Sequence, residues 1–200
     1  GFGSHIQITS FNNESEYEDH PIAISESLKT LLSSHPQVLH VQNFITKPSI
    51  IKTKEDFLGV VLKGVSDDYK WDFFRENLIE GDIIDLNDST SGNQVILSKY
   101  IANKLHLSLG DNFTAYFVQE PVRARQFKIV GIYETNFEDY DKLFAVVDFD
   151  VLSRLNKWDD DMATGIEVLV KDFGKLDETT QELFFSVVSQ KDRLGNNLYA

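Results

Sequence analysis

The stretch SKYIANKLHLSLGDNFTAYF (residues 98–117) decides how the chain is organised. It begins with a short amphipathic helix around Lys99–Leu107. It passes through Leu-Gly-Asp and enters a strand over 112–118. Gly110 is free to adopt positive φ and so to end the turn after the helix without a Cβ penalty. Asp111 can bond back to nearby backbone N–H groups. A phosphate cradle would want further glycines and a cation, and only His106 is near. On these grounds Gly110 and Asp111 form a structural corner that turns the chain into a β-rich segment.

That β-rich segment lies between two stretches of mixed character. Upstream, residues 4–11 alternate apolar and polar, which predicts a strand. The acidic run 12–21 reads as a loop. Ile24, Leu28, Leu31 and Leu32 then fall on one stripe, predicting a helix over 22–34 that Pro36 closes. Residues 37–45 are strand-like, and Pro48 is expected to interrupt them. DFLGVVLKGV (56–65) reads as a strand buried on both faces. Ser66 or Asp67 is expected to cap a helix bearing Trp71, Phe74 and Leu78.

Past the corner, VRARQFKIVGIYET (122–135) is a long strand, and QEPV makes a hairpin with the strand before it. Residues 138–148 predict a loop and a short strand. Asp148 caps a helix carrying Val151, Leu152 and Leu155. IEVLVKD is a strand, and Asp177 starts a last helix with Leu183, Phe184, Val187 and Val188. The whole reads as α+β in two lobes: residues 1–82 and 148–200 forming a discontinuous α/β lobe, and 83–147 an inserted, mainly β lobe.

Composition narrows the function. The chain has 200 residues, of which 42% are hydrophobic, enough to bury a core. Its net charge of −13 argues against nucleic acid, which needs a basic face to neutralise phosphates. No cysteine is present, so thiolate nucleophiles and disulfides are excluded. No P-loop, nucleophile elbow or paired-His helix occurs. DLNDSTSG (85–92) fails as a calcium loop, because Thr90 stands where glycine is needed and Ile96 where the last carboxylate belongs. DDD (159–161) and EDYD (138–141) read as solvated acidic loops. Trp71, on an amphipathic helix, reads as core. No catalytic, cofactor or metal residues are assigned. The chain opens and closes as though cut from something longer, and no run in it is long and apolar enough to span a bilayer.

Taken together, GVSDDYKWDFFRENLIEGDIIDL, NQVILSKYIANKLHLSLGDNFTAYFV and RARQFKIVGIYETNFEDYDKLFAVVDFDVLSRL resemble the extracytoplasmic domain of ABC-transporter permeases of the MacB/FtsX type. Within that type they are most similar to the lipoprotein-releasing LolC/LolE group. The resemblance covers roughly residues 56–172. It implies a porter-like lobe and an inserted sabre-like lobe. It implies transmembrane helices before and after the segment, a place on the periplasmic side of a bacterial inner membrane, and no catalysis in this domain. The implied partners are a cytoplasmic ABC ATPase reached through the membrane part, a second permease subunit, and a lipoprotein or periplasmic carrier. LolC-type proteins carry a long carrier-capturing hook where this chain has only QEPVRARQ. Gln119, Glu120, Pro121, Val122 and Arg123 are therefore the candidate partner-binding residues, and the connection is too short for such a hook. The alternative class is an extracytoplasmic ligand-sensing domain of a membrane receptor, which would also be acidic and free of cysteine.

Overall fold

The computed structural model describes residues 5–10 and 20–200. The expected loop over 12–21 lies largely outside them. Along the chain run β1 (His5–Ser10), β2 (Ile22–Ala23), α1 (Glu26–Ser33), β3 (Val38–Lys52), β4 (Phe57–Val65), α2 (Asp72–Asn77), β5 (Leu78–Gly81), β6 (Gln94–Ser98) and α3 (Lys99–Lys104). They are followed by β7 (Asn112–Phe117), β8 (Arg123–Tyr133), α4 (Glu138–Leu143), β9 (Phe144–Asp148), α5 (Phe149–Asn156), β10 (Met162–Ala163), β11 (Gly165–Val170), α6 (Leu176–Val187) and β12 (Leu198–Tyr199). The fold is mixed α/β with a mixed sheet.

The strands follow the order β12-β1-β11-β3-β4-β9-β6-β8-β5, and β7 pairs with both β8 and β3. That last pairing closes a ring through β3, β4, β9, β6, β8 and β7, with β4–β9 and β6–β8 parallel. Closure removes the open edges that a flat sheet would expose. The segment 83–147 therefore shares its sheet with β3 and β4 on the other side of the expected boundary. The apolar clusters are shared too. One joins Ile45, Ile51 and Leu62 with Phe113, Phe117 and Phe127 inside the ring. The other joins Val65, Tyr69 and Phe74 with Ile84, Ile96, Tyr133 and Val146.

β3 is the element that makes this possible, and it runs straight through Pro48. Its first part pairs with β11 through Phe44, and its last part with β7 from Ile50. The Thr46 N–H points away from β4, donating to Thr164 Oγ1. Alternate residues of a strand present their N–H groups to the same side. The Pro48 nitrogen therefore faces the gap between β11 and β7, where no ladder bond is lost. The expected interruption fails because the proline sits where the strand exchanges partners.

Three helices also depart from expectation. α1 starts at Glu26 because Ser25 Oγ accepts from Leu28 N at 3.1 Å, and Ile22 and Ala23 pair with β10 instead. α2 begins only at Asp72, with no side-chain cap, and Leu78 leaves it to pair with Tyr133 in β8. Ser66 instead bonds Asp68. The expected loop at 138–143 is α4, whose Glu138, Asp139 and Asp141 lie in its first turn. Acidic side chains there meet the positive end of the helix dipole. Asp148 caps α5 as its spacing implies, accepting from Asp150 N at 2.9 Å.

Candidate functional site

The residues singled out in sequence lie at opposite ends of β7. At its start, Gly110 has φ +89°. Gly110 N donates to Ile129 O, and Ile129 N to Asp111 O, each at 2.9 Å. Asp111 Oδ2 accepts from Ser108 N at 2.9 Å. The corner thus locks the turn onto β8. Six strand residues, roughly 20 Å, separate it from the hairpin at the far end of β7.

At that far end, Gln119, Glu120, Pro121, Val122 and Arg123 form the connection from β7 to β8 or open β8, and all but Gln119 are exposed. They continue an apolar outer face of the ring. Register places Phe57 opposite Lys52, Gly59 opposite Ile50, Ile50 opposite Tyr116, and Tyr116 opposite Ala124. Phe57 is 77% exposed and Val118 82%. Phe57, Ile50, Tyr116, Val118 and Val122 therefore make one exposed strip over three adjacent strands and the β7–β8 connection. Strips of this kind mark interaction surfaces more often than scattered single residues do.

A second feature lies on the other half of the sheet, and sequence reading missed it. Glu167 of β11 faces Gln42 of β3, and Lys63 of β4 faces Thr46. Lys63 extends over the Phe44 ring, 5.7 Å from its centroid, to reach Glu167. Its Nζ lies 2.7 Å from one carboxylate oxygen and 2.9 Å from the other. His5 Nε2 approaches the carboxylate at 3.3 Å. Glu167 is only 2% exposed. Burial alone would push its carboxyl up. The Lys63 ammonium, His5, and hydrogen bonds from Lys63 and Gln42 outweigh burial and hold it below its ordinary value. The His5 ring is lowered, by burial first and by Lys63, while Glu167 pulls the other way.

The turn after β4 covers this pair. His40 Nε2 bonds Asp68 O at 2.6 Å, Asn43 N donates to Asp68 Oδ2 at 3.1 Å, and Lys70 N donates to Gln42 Oε1 at 2.9 Å. These bonds pin Tyr69 above Lys63, whose Nζ is 5.8 Å from the ring centroid. Trp71 meets Tyr69 edge-on at 4.8 Å, so it sits at the margin of the second apolar cluster. A cavity of about 320 Å³ opens between this floor and the segment after β11.

Other buried polar side chains are tied locally. Asp141 accepts from the Thr135 N–H at 2.8 Å and from its hydroxyl, and Asp148 accepts from Ser91 Oγ. Among the described residues no group of three or more His, Asp or Glu is arranged to hold a metal ion.

No family model matches the chain, and no curated protein matches it either. Solved structures do. The extracellular domain of the noncanonic ABC-type transporter YknZ from Gram-positive bacteria is similar with a TM-score of 0.60 at 18% identity, over 98% of this chain and 100% of that one. The periplasmic region of MacB from Actinobacillus actinomycetemcomitans is similar with a TM-score of 0.60 at 15% identity, over 98% of this chain and 87% of that one. The chain has the fold of the outer domains of these two transporters.

Proposed function

We propose that this chain is the non-catalytic extracytoplasmic domain of an ABC-transporter permease. In this reading it stands on the periplasmic side of a bacterial inner membrane and carries ATP-driven movement of membrane helices to a partner or substrate outside. The observation that carries the reading is likeness of fold over 98% of this chain and 100% and 87% of the two neighbours. The LolC/LolE resemblance makes lipoprotein release one form of the function, and export of another substrate is the other. The β7–β8 connection, with no hook, leaves the strip from Phe57 to Val122 as the contact surface for a carrier or second protein. A cytoplasmic ATPase and a second permease subunit complete the assembly, and the inserted segment 83–147 acts as its sabre-like part.

These 200 residues hold no cysteine, so once any cysteine elsewhere in the full-length protein is replaced, one introduced here is the sole label site. A single Val118→Cys variant of the full-length protein, in intact cells with a permeable outer envelope, should react with a membrane-impermeant maleimide. Labelling only after the inner membrane is broken would overturn the reading.

A further inference from the structure

Burying a Lys–Glu pair costs desolvation that the attraction between the charges only partly returns. Such a pair at the floor of an open cavity leaves little charge for anything entering it. Lys63 and Glu167 spend their charges on each other, and Gln42 is held between Lys70 N and Glu167. Glu167 Oε1 makes no hydrogen bond but is sealed from solvent beside Lys63 Nζ, so one floor group is left over that an entering molecule can reach. Among the described residues the Tyr69 hydroxyl has no hydrogen-bond partner, although its residue is only 9% exposed. It is not sealed in the core, and Tyr69 lines the cavity. Burial keeps the phenol protonated, hence a donor. The walls are apolar: Leu39, Phe73, Leu169 and Phe173. At the rim Lys70 and Lys171 are balanced by Asp72 and Glu76.

We infer that this cavity binds a small, uncharged, largely apolar molecule whose oxygen acceptor takes the Tyr69 hydroxyl proton as a hydrogen bond. The volume, about 320 Å³, lies near the lower end of the range for ligand pockets, about 300–1,000 Å³. A neutral ligand fits because the floor offers no unspent charge and the rim is balanced. An acceptor fits because the open floor group is a donor. Phe73 and Phe173 in the lining supply aromatic apolar surface. The site does not depend on the transporter reading.

The test uses three probes of one shape with the 200-residue chain: methyl 4-tert-butylbenzoate (neutral acceptor), 4-tert-butyltoluene (no acceptor) and 4-tert-butylbenzoate (charged). The chain has two tryptophans, so two indole N–H signals serve as reporters in NMR. Trp71 meets Tyr69 edge-on, whereas Trp158 packs on the other apolar cluster. The ester should shift the Trp71 signal and leave that of Trp158 unmoved. It should bind about threefold to tenfold more tightly than the toluene, the value of one hydrogen bond, and more tightly than the carboxylate. Tyr69→Phe should reduce the ester to the affinity of the toluene and leave toluene binding unchanged. Leu39→Glu, at a residue 51% exposed in the folded chain, should abolish binding of both. No Trp71 shift up to the solubility of the ester would overturn the inference. So would equal binding to the Leu39→Glu variant, or tightest binding by the carboxylate.

Discussion

Lys63→Met is the sharpest perturbation of the sheet. Methionine keeps the length of the stem and removes the ammonium. Glu167, 2% exposed, is then left with His5 and Gln42 but without its main counter-charge. Breaking a buried pair on one side costs about 3–5 kcal/mol. Lys63→Met is therefore expected to lower unfolding free energy at pH 7 by that amount, read by urea denaturation with far-UV circular dichroism. The pH dependence follows from the shifts. In the parent, Glu167 is lowered below its unfolded value. Its contribution is present above the unfolded pKa, about 4.3, and is lost as pH falls through the folded one. In Lys63→Met burial dominates and raises the carboxyl, so its penalty is largest at neutral pH and shrinks as pH falls toward about 4.3. His5 works the same way. Lys63 helps hold its ring down, and without Lys63 the ring protonates more readily and pairs with Glu167. The gap between parent and variant should therefore narrow from pH 7 to pH 5. Lys63→Met/Glu167→Gln should recover most of the loss. A cost below about 1 kcal/mol, or a gap unchanged over that range, would refute the reasoning.

Other outcomes are expected from single sites. Gly110→Val should destabilise by about 1 kcal/mol or more because of its positive φ; the added Cβ meets nothing within 4 Å, so the backbone alone is tested. Equal melting temperatures would contradict it. Asp148→Ala should cost about 1–2 kcal/mol by uncapping α5 and leaving Ser91 Oγ unpaired; a thermal scan checks it. Val118→Asp/Val122→Asp should change stability by no more than about 0.5 kcal/mol yet abolish transport by the full assembly in cells. In analytical ultracentrifugation at micromolar concentration this chain should sediment as a monomer, because in the proposed assembly a membrane part and ATPases would supply most dimer contacts. A tight dimer would contradict this.

The sequence revealed elements whose periodicity was uninterrupted. The strands of 56–65 and 122–135 and the α5 cap were legible because alternation, or one capping residue, dominates locally. Pro48 misled because its tolerance depends on which neighbour flanks each half of β3, a long-range fact. α4 misled because three adjacent acids look like solvent-exposed loop until the helix dipole is counted. Ring closure was hidden for the same reason as the path of β3: Ile50 meeting Tyr116 joins residues far apart in the chain. The candidate hairpin was visible, but not the strip it completes with Phe57. The cavity did leave a trace. Lys63 and Glu167 are lone charges inside the apolar runs VVLKGV and GIEVLV, and opposite charges embedded in two buried strands point to a partnership between them.

The central claim concerns transmission of movement. Its most direct measurement is a distance between spin labels on Val118→Cys of the outer strip and a cysteine in the ATPase-proximal half of the full-length permease, reconstituted in lipid with its ATPase. The account predicts that the distance distribution shifts between the nucleotide-free and ATP-bound states. Superimposable distributions in a complex that hydrolyses ATP would contradict it.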